Sequence, residues 1–72
     1  MLIKRSFSIA GHRTSIALEA EFWDALERCA RRRGEPLAAL VVAVDAERPP
    51  ARPLASALRV RALRDVAEYR NG

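Results

Sequence analysis

The chain has 72 residues, half of them apolar, with one cysteine, one histidine and a formal net charge of +4. A chain this short buries only about 60% of its unfolded surface, so it relies on disulfides, a metal or a partner chain. Cys29 alone closes no internal bridge and Cys29 with His12 makes no zinc set, which leaves a partner chain and predicts an obligate homodimer with no cofactor and no metal. The longest apolar run, Leu37 to Val44, falls far short of the ~20 residues that span a bilayer. Met1-Leu2-Ile3-Lys4-Arg5 has no apolar stretch after its charges, so a cytoplasmic protein without membrane contact is expected.

Charge is unevenly distributed. Residues 1–18 carry Lys4, Arg5 and Arg13 and no acid, residues 35–48 are net acidic, and residues 49–72 return to basic. An acid-free basic segment suits a polyanion, although it equally describes a solvated arm.

In chain order, Ile3, Phe7 and Ile9 alternate in odd register, whereas Thr14, Ile16 and Leu18 alternate in even register. The phase changes across Ala10-Gly11-His12. A hairpin turning at Gly11-His12 would pair Ile9 with Thr14 and Phe7 with Ile16 on one face; an extended arm is the alternative. Residues 13–18 read as a strand with Thr14, Ile16 and Leu18 inward and Arg13, Ser15 and Ala17 outward.

A helix is predicted from about Ala20 to Arg33, with Phe22, Trp23, Leu26, Cys29 and Ala30 on one face. Glu19, Glu21 and Asp24 load its start and Arg31, Arg32 and Arg33 its end, matching the helix dipole. Gly34 supplies the left-handed stop. Trp23 and Cys29 read as core side chains, and the three arginines as a solvated helix end.

Pro36 suits the first turn of a second helix running to about Glu47, with Leu37, Leu40, Val41 and Val44 as its core stripe. Ala38, Ala39 and Val42 carry the apolar surface almost around it, which calls for cover on several sides. Pro49, Pro50 and Pro53 make residues 49–53 a stiff, extended linker. A third helix is expected over roughly 55–69, with Leu58, Ala62 and Val66 in line and Arg59, Arg61, Arg64 and Arg70 around the remainder. The chain thus divides into an arm and core (1–48), the linker (49–53) and a C-terminal helix segment (54–72), all within one domain.

The order strand, helix, glycine break, apolar helix resembles the ribbon-helix-helix (Arc/MetJ-like) superfamily. The stretch Ile9-Ala10-Gly11-His12-Arg13-Thr14-Ser15-Ile16-Ala17-Leu18-Glu19 with Glu21-Phe22-Trp23-Asp24-Ala25-Leu26 looks like short bacterial members of it, over nearly the whole chain. The resemblance implies a mostly helical intertwined homodimer with one β-ribbon, here with an additional C-terminal helix. It also implies a small transcriptional regulator, a repressor that inserts its ribbon into the major groove of double-stranded DNA. Arg13, Ser15 and Ala17 would then face base edges. Lys4, Arg5, His12 and the start of the second helix, Gly34, Glu35, Pro36 and Leu37, would meet phosphates. Ile16, Leu18, Phe22, Trp23, Leu26, Leu37, Leu40, Val41 and Val44 would form the dimer core.

The chain departs from the pattern at two places. Pro36 replaces a Ser or Thr cap and Glu35 adds a negative charge at the phosphate clamp, while Ala17 weakens base readout. There is also a steric conflict. Hairpins from two protomers joined edge to edge make four strands, ~15 Å across at a 4.8 Å spacing, too wide for a groove of ~12 Å. The extended arm is therefore expected, with the inner strands forming the ribbon. No constellation for catalysis is visible, and no enzyme is expected. A second class of function is an antitoxin-like or other protein-interaction module gripping its partner with the third helix; the third helix completing the dimer core is a further alternative.

Overall fold

The phase change at Ala10-Gly11 is a chain reversal. In the computed structural model, which describes residues 1–71, β1 (Leu2–Ile9) and β2 (His12–Glu19) form an antiparallel hairpin. Ala10 (φ 51°) and Gly11 (φ 82°) are its two central residues, and positive φ at both positions belongs to the type I′ turn, whose twist matches that of paired strands. The extended arm is thus replaced by a strand. The register also differs from a Gly11-His12 turn by two residues: Ile9 faces His12, Phe7 faces Thr14, Arg5 faces Ile16 and Ile3 faces Leu18. The shift keeps every side chain on its expected face because the strand period is two. Its physical cause lies at the far end. A Gly11-His12 turn would set Leu2 and Ile3 opposite Glu21 and Ala20, which are helical, whereas the observed turn ends the ladder at Glu19.

α1 (Ala20–Arg32) follows β2 without a loop. It stops in a Schellman motif: Gly34, at φ 67°, donates its N–H to Arg31 at 3.0 Å, and Glu35 donates to Ala30 at 3.0 Å. α2 (Leu37–Glu47) starts after Pro36 and ends before Pro49, with the Arg48 N–H on the Val44 carbonyl at 3.0 Å. The linker is a turn rather than an extended rod, since the Arg52 N–H reaches the Pro49 carbonyl at 3.0 Å. α3 (Leu54–Asn71) begins with the Ala57 N–H on the Pro53 carbonyl. Gly72, the last residue of the expected C-terminal segment, lies outside the described residues.

One core unites all five elements. Phe7, Ile9, Ile16 and Leu18 from the hairpin meet Trp23, Leu26 and Cys29 of α1, Leu40, Val41 and Val44 of α2, and Ala57, Leu58 and Ala62 of α3. Leu18, Leu26, Leu40, Val41, Cys29 and Leu58 are fully buried. The side chains expected between protomers therefore pack within one protomer, Phe22 and Leu37 at half-burial and the rest buried. β1 and α3 are the reason: β1 widens the sheet beside β2, and the sheet and α3 pack against α1 and α2, so these side chains are covered by elements of their own chain. Cys29 is a buried free thiol with a packing role.

Polar clasps hold α3 in place. Arg59 donates to the Glu19 carboxylate at 3.0 Å and lies over the Phe22 ring at 5.7 Å. Arg32 pairs with Asp65 and lies over the Tyr69 ring at 4.6 Å, and Arg33 pairs with Glu35 at 2.9 Å. Two of the three arginines read as a solvated helix end thus serve tertiary and loop contacts.

Candidate nucleic-acid interface

The hairpin has two unlike faces because successive side chains alternate. Ile3, Arg5, Phe7 and Ile9 share the inner face with Leu18, Ile16, Thr14 and His12. On the outer face lie Lys4, Ser6 and Ser8 of β1 opposite Ala17, Ser15 and Arg13 of β2. Of these six, all but the half-buried Ala17 are exposed. Within this patch the hydroxyls of Ser6 and Ser15 are hydrogen-bonded at 3.1 Å, and Arg13 donates from Nη1 to the Ser8 hydroxyl at 3.2 Å. The second contact draws the guanidinium across the ribbon toward β1 while leaving its other N–H groups available. No acid lies between Lys4 and Ala17; the nearest on this face, Glu19, is engaged by Arg59.

Glu19 also has its carboxyl held below the ordinary value of 4.5, first by a hydrogen bond from its own main-chain N–H and then by the Arg59 side chain. It remains a carboxylate at neutral pH, with its charge turned toward α3.

The expected base-reading set, Arg13, Ser15 and Ala17, is thus together on one face. The expected phosphate set is dispersed. Lys4 belongs to the outer face, beside Ala17. Arg5 lies on the inner face, over Trp23 at 5.1 Å and within 3.7 Å of Glu27. His12 is exposed at the mouth of the turn. At the α1–α2 loop, the Gly34 and Glu35 N–H groups are engaged by α1 carbonyls and Pro36 has none. Leu37 is then the one residue of that stretch whose N–H has no main-chain acceptor among the described residues, and the Glu35 carboxylate sits beside it in sequence. Of the four residues expected to meet a phosphate, a single main-chain N–H is left without a main-chain acceptor, because the Schellman stop of α1 engages those of Gly34 and Glu35.

Ser6 and Ser8 were not legible as site residues. Their alternation with Phe7 and Ile9 was visible, but assigning them to this face requires knowing that β1 pairs with β2.

The ribbon-helix-helix domain family matches residues 2–66, and the chain belongs to that family. Its members are non-catalytic proteins that typically bind DNA as dimers. No curated protein and no solved structure matches the chain significantly. Among the described residues no helix is long and apolar enough to cross a membrane, and no cluster of side chains is suited to a metal ion.

Proposed function

We propose that this ribbon-helix-helix protein is a transcriptional regulator that reads DNA with the outer face of the intramolecular β1–β2 hairpin. The observation that carries the reading is the composition of that face: Lys4, Ser6, Ser8, Arg13 and Ser15 are exposed, with no acid among them. A lone two-stranded ribbon, its strands ~4.8 Å apart, enters a groove of ~12 Å that a four-stranded sheet cannot. Arg13 supplies a bidentate donor pair for guanine, and the serine hydroxyls donate or accept according to the base they meet. Lys4 contributes a phosphate contact without sequence preference.

This reading requires the two copies of a dimer to associate away from the hairpin edges. The outward side of α2 suits that role. Ala38, Val42 and Ala46 recur at intervals of four residues and are exposed, Val42 by 43%, and no charge occurs on α2 before Asp45. Each protomer then offers one ribbon to one half-site of a palindrome.

The deciding experiment selects bound sequences from a random duplex library, then measures their affinity for Arg13→Ala and Val42→Glu variants. Expected are a palindromic site, relaxed selectivity with Arg13→Ala, and a monomer with Val42→Glu by light scattering. A dimer that survives Val42→Glu would place the interface elsewhere than the outward side of α2, and unchanged selectivity with Arg13→Ala would remove the groove-reading role of the hairpin.

A further inference from the structure

Of the thirteen basic side chains, four meet at one place that the DNA-reading hairpin does not use. A cleft of about 310 Å³ opens where α2 passes through the proline turn into α3, and Arg48, Arg52, Arg61 and Arg64 line it. Its floor is apolar: Val44 and Ala57 are buried, and Pro49 and Val60 flank them. Glu47 is the only acid in the lining.

The charges are incompletely balanced. Arg48 is fixed, with Nε on the Asp45 carboxylate at 2.9 Å and Nη1 on the Arg52 carbonyl at 2.7 Å, so that its Nη2 group remains available. Arg61 approaches Glu47 only to 3.8 Å, and that carboxylate is 73% exposed. Arg52 and Arg64 make no ion pair among the described residues. Clustered guanidinium groups repel one another, and a multiply charged anion relieves that repulsion while accepting forked hydrogen bonds. The volume lies at the small end of ligand sites, and an apolar floor with convergent polar walls is their usual composition.

We propose that this cleft binds a small phosphorylated molecule, its phosphoryl groups held by Arg52, Arg64 and the free edges of Arg48 and Arg61, its remainder lying on Val44 and Ala57. A concave site bounded by the linker turn fits a compact anion better than the convex backbone of a duplex. Because α2, the linker and α3 each contribute walls, occupancy adds a further tie between α3 and the linker turn.

The test titrates the full chain with inorganic pyrophosphate, read by calorimetry and by amide chemical shifts. Saturable binding at about 1 mM or tighter is expected, with shifts centred on Val44, Arg52 and Ala57. The double variant Arg52→Ala/Arg64→Ala should bind at least tenfold more weakly, and Arg31→Ala, a basic residue on α1, should bind as the wild type does. The double variant's amide spectrum, otherwise unchanged, reports that the fold is intact. No saturation by ~10 mM, an equal loss in Arg31→Ala, or shifts centred on the hairpin would overturn the proposal. So would a double variant that binds pyrophosphate normally but duplex DNA weakly, because the arginines would then serve the DNA backbone.

Discussion

The indole N–H of Trp23 donates to the main-chain carbonyl of Ile3 at 2.7 Å, tying β1 to α1 across twenty residues of sequence. The same indole packs against Phe7, ring centroids 5.8 Å apart, and carries Arg5 over its face. One side chain thus holds both halves of β1 against the helix. Trp23→Phe retains most of the packing and deletes the donor, which should cost about 1–2 kcal/mol. Chemical denaturation measures the loss, and hydrogen exchange should show residues 2–5 opening before the rest of the hairpin. A variant with unchanged exchange there would show that strand pairing alone retains β1.

The turn carries a correctable strain. Ala10 adopts φ 51°, a left-handed conformation that costs an alanine roughly 1 kcal/mol and that asparagine tolerates better. Ala10→Asn creates the Asn-Gly pair favoured in type I′ turns and should raise stability by about 0.5–1 kcal/mol, visible as a higher Tm. Gly11→Ala should lower it by a similar amount through backbone conformation alone, because nothing lies within 4 Å of an added Cβ.

α3 belongs to the core rather than to an appendage. Leu58 has no exposed surface and meets the same cluster as Leu18, Leu26 and Leu40. Leu58→Ala should cost about 2–5 kcal/mol, a large part of the stability of so small a domain. Exposed Leu63, on the same helix but 69% accessible, should change stability by less than about 0.5 kcal/mol when replaced by alanine. Thermal unfolding of the two variants compares them directly.

On the outer ribbon, Arg13 and Lys4 should separate by kind of effect. Arg13→Ala should cost about 1–3 kcal/mol on the selected site and relax preference at one position. Lys4→Ala should weaken all duplexes alike and reduce the salt dependence by about one ion. Fluorescence anisotropy at several salt concentrations, with selected and scrambled duplexes, distinguishes them.

Glu19 makes stability depend on pH with a definite sign. Its folded-state pKa lies below the ordinary 4.5, so the unfolded chain takes up the proton first. Its contribution is therefore fully present above that value and is lost as the pH falls below 4.5 through the folded value. The stability difference between wild type and Glu19→Gln should be constant near neutrality and shrink only in acid. An undiminished difference in acid would assign the effect to something other than the carboxylate charge.

Local chemistry was sufficient for much of this protein. The period of two over Thr14–Leu18, the apolar stripe Trp23-Leu26-Cys29-Ala30 and the Gly34 stop set β2 and α1 within a residue or two, because each depends on nearest neighbours along the chain. The same pattern placed Arg13 and Ser15 on an outward face. Two matters depended on contacts between distant segments. Whether Ile3–Ile9 is an arm or a strand was decided by where the ladder must stop, at Glu19, and by the Trp23–Ile3 bond. That Leu40, Val41 and Val44 are covered within their own chain depends on α3 folding back through the proline turn. Alternation and amphipathicity identify which side chains seek burial; they do not specify what buries them, since any apolar surface of suitable shape lowers the free energy equally well. Only the path of the chain determines that here β1 and α3 of the same molecule do so, leaving a two-stranded ribbon as the exposed polar face.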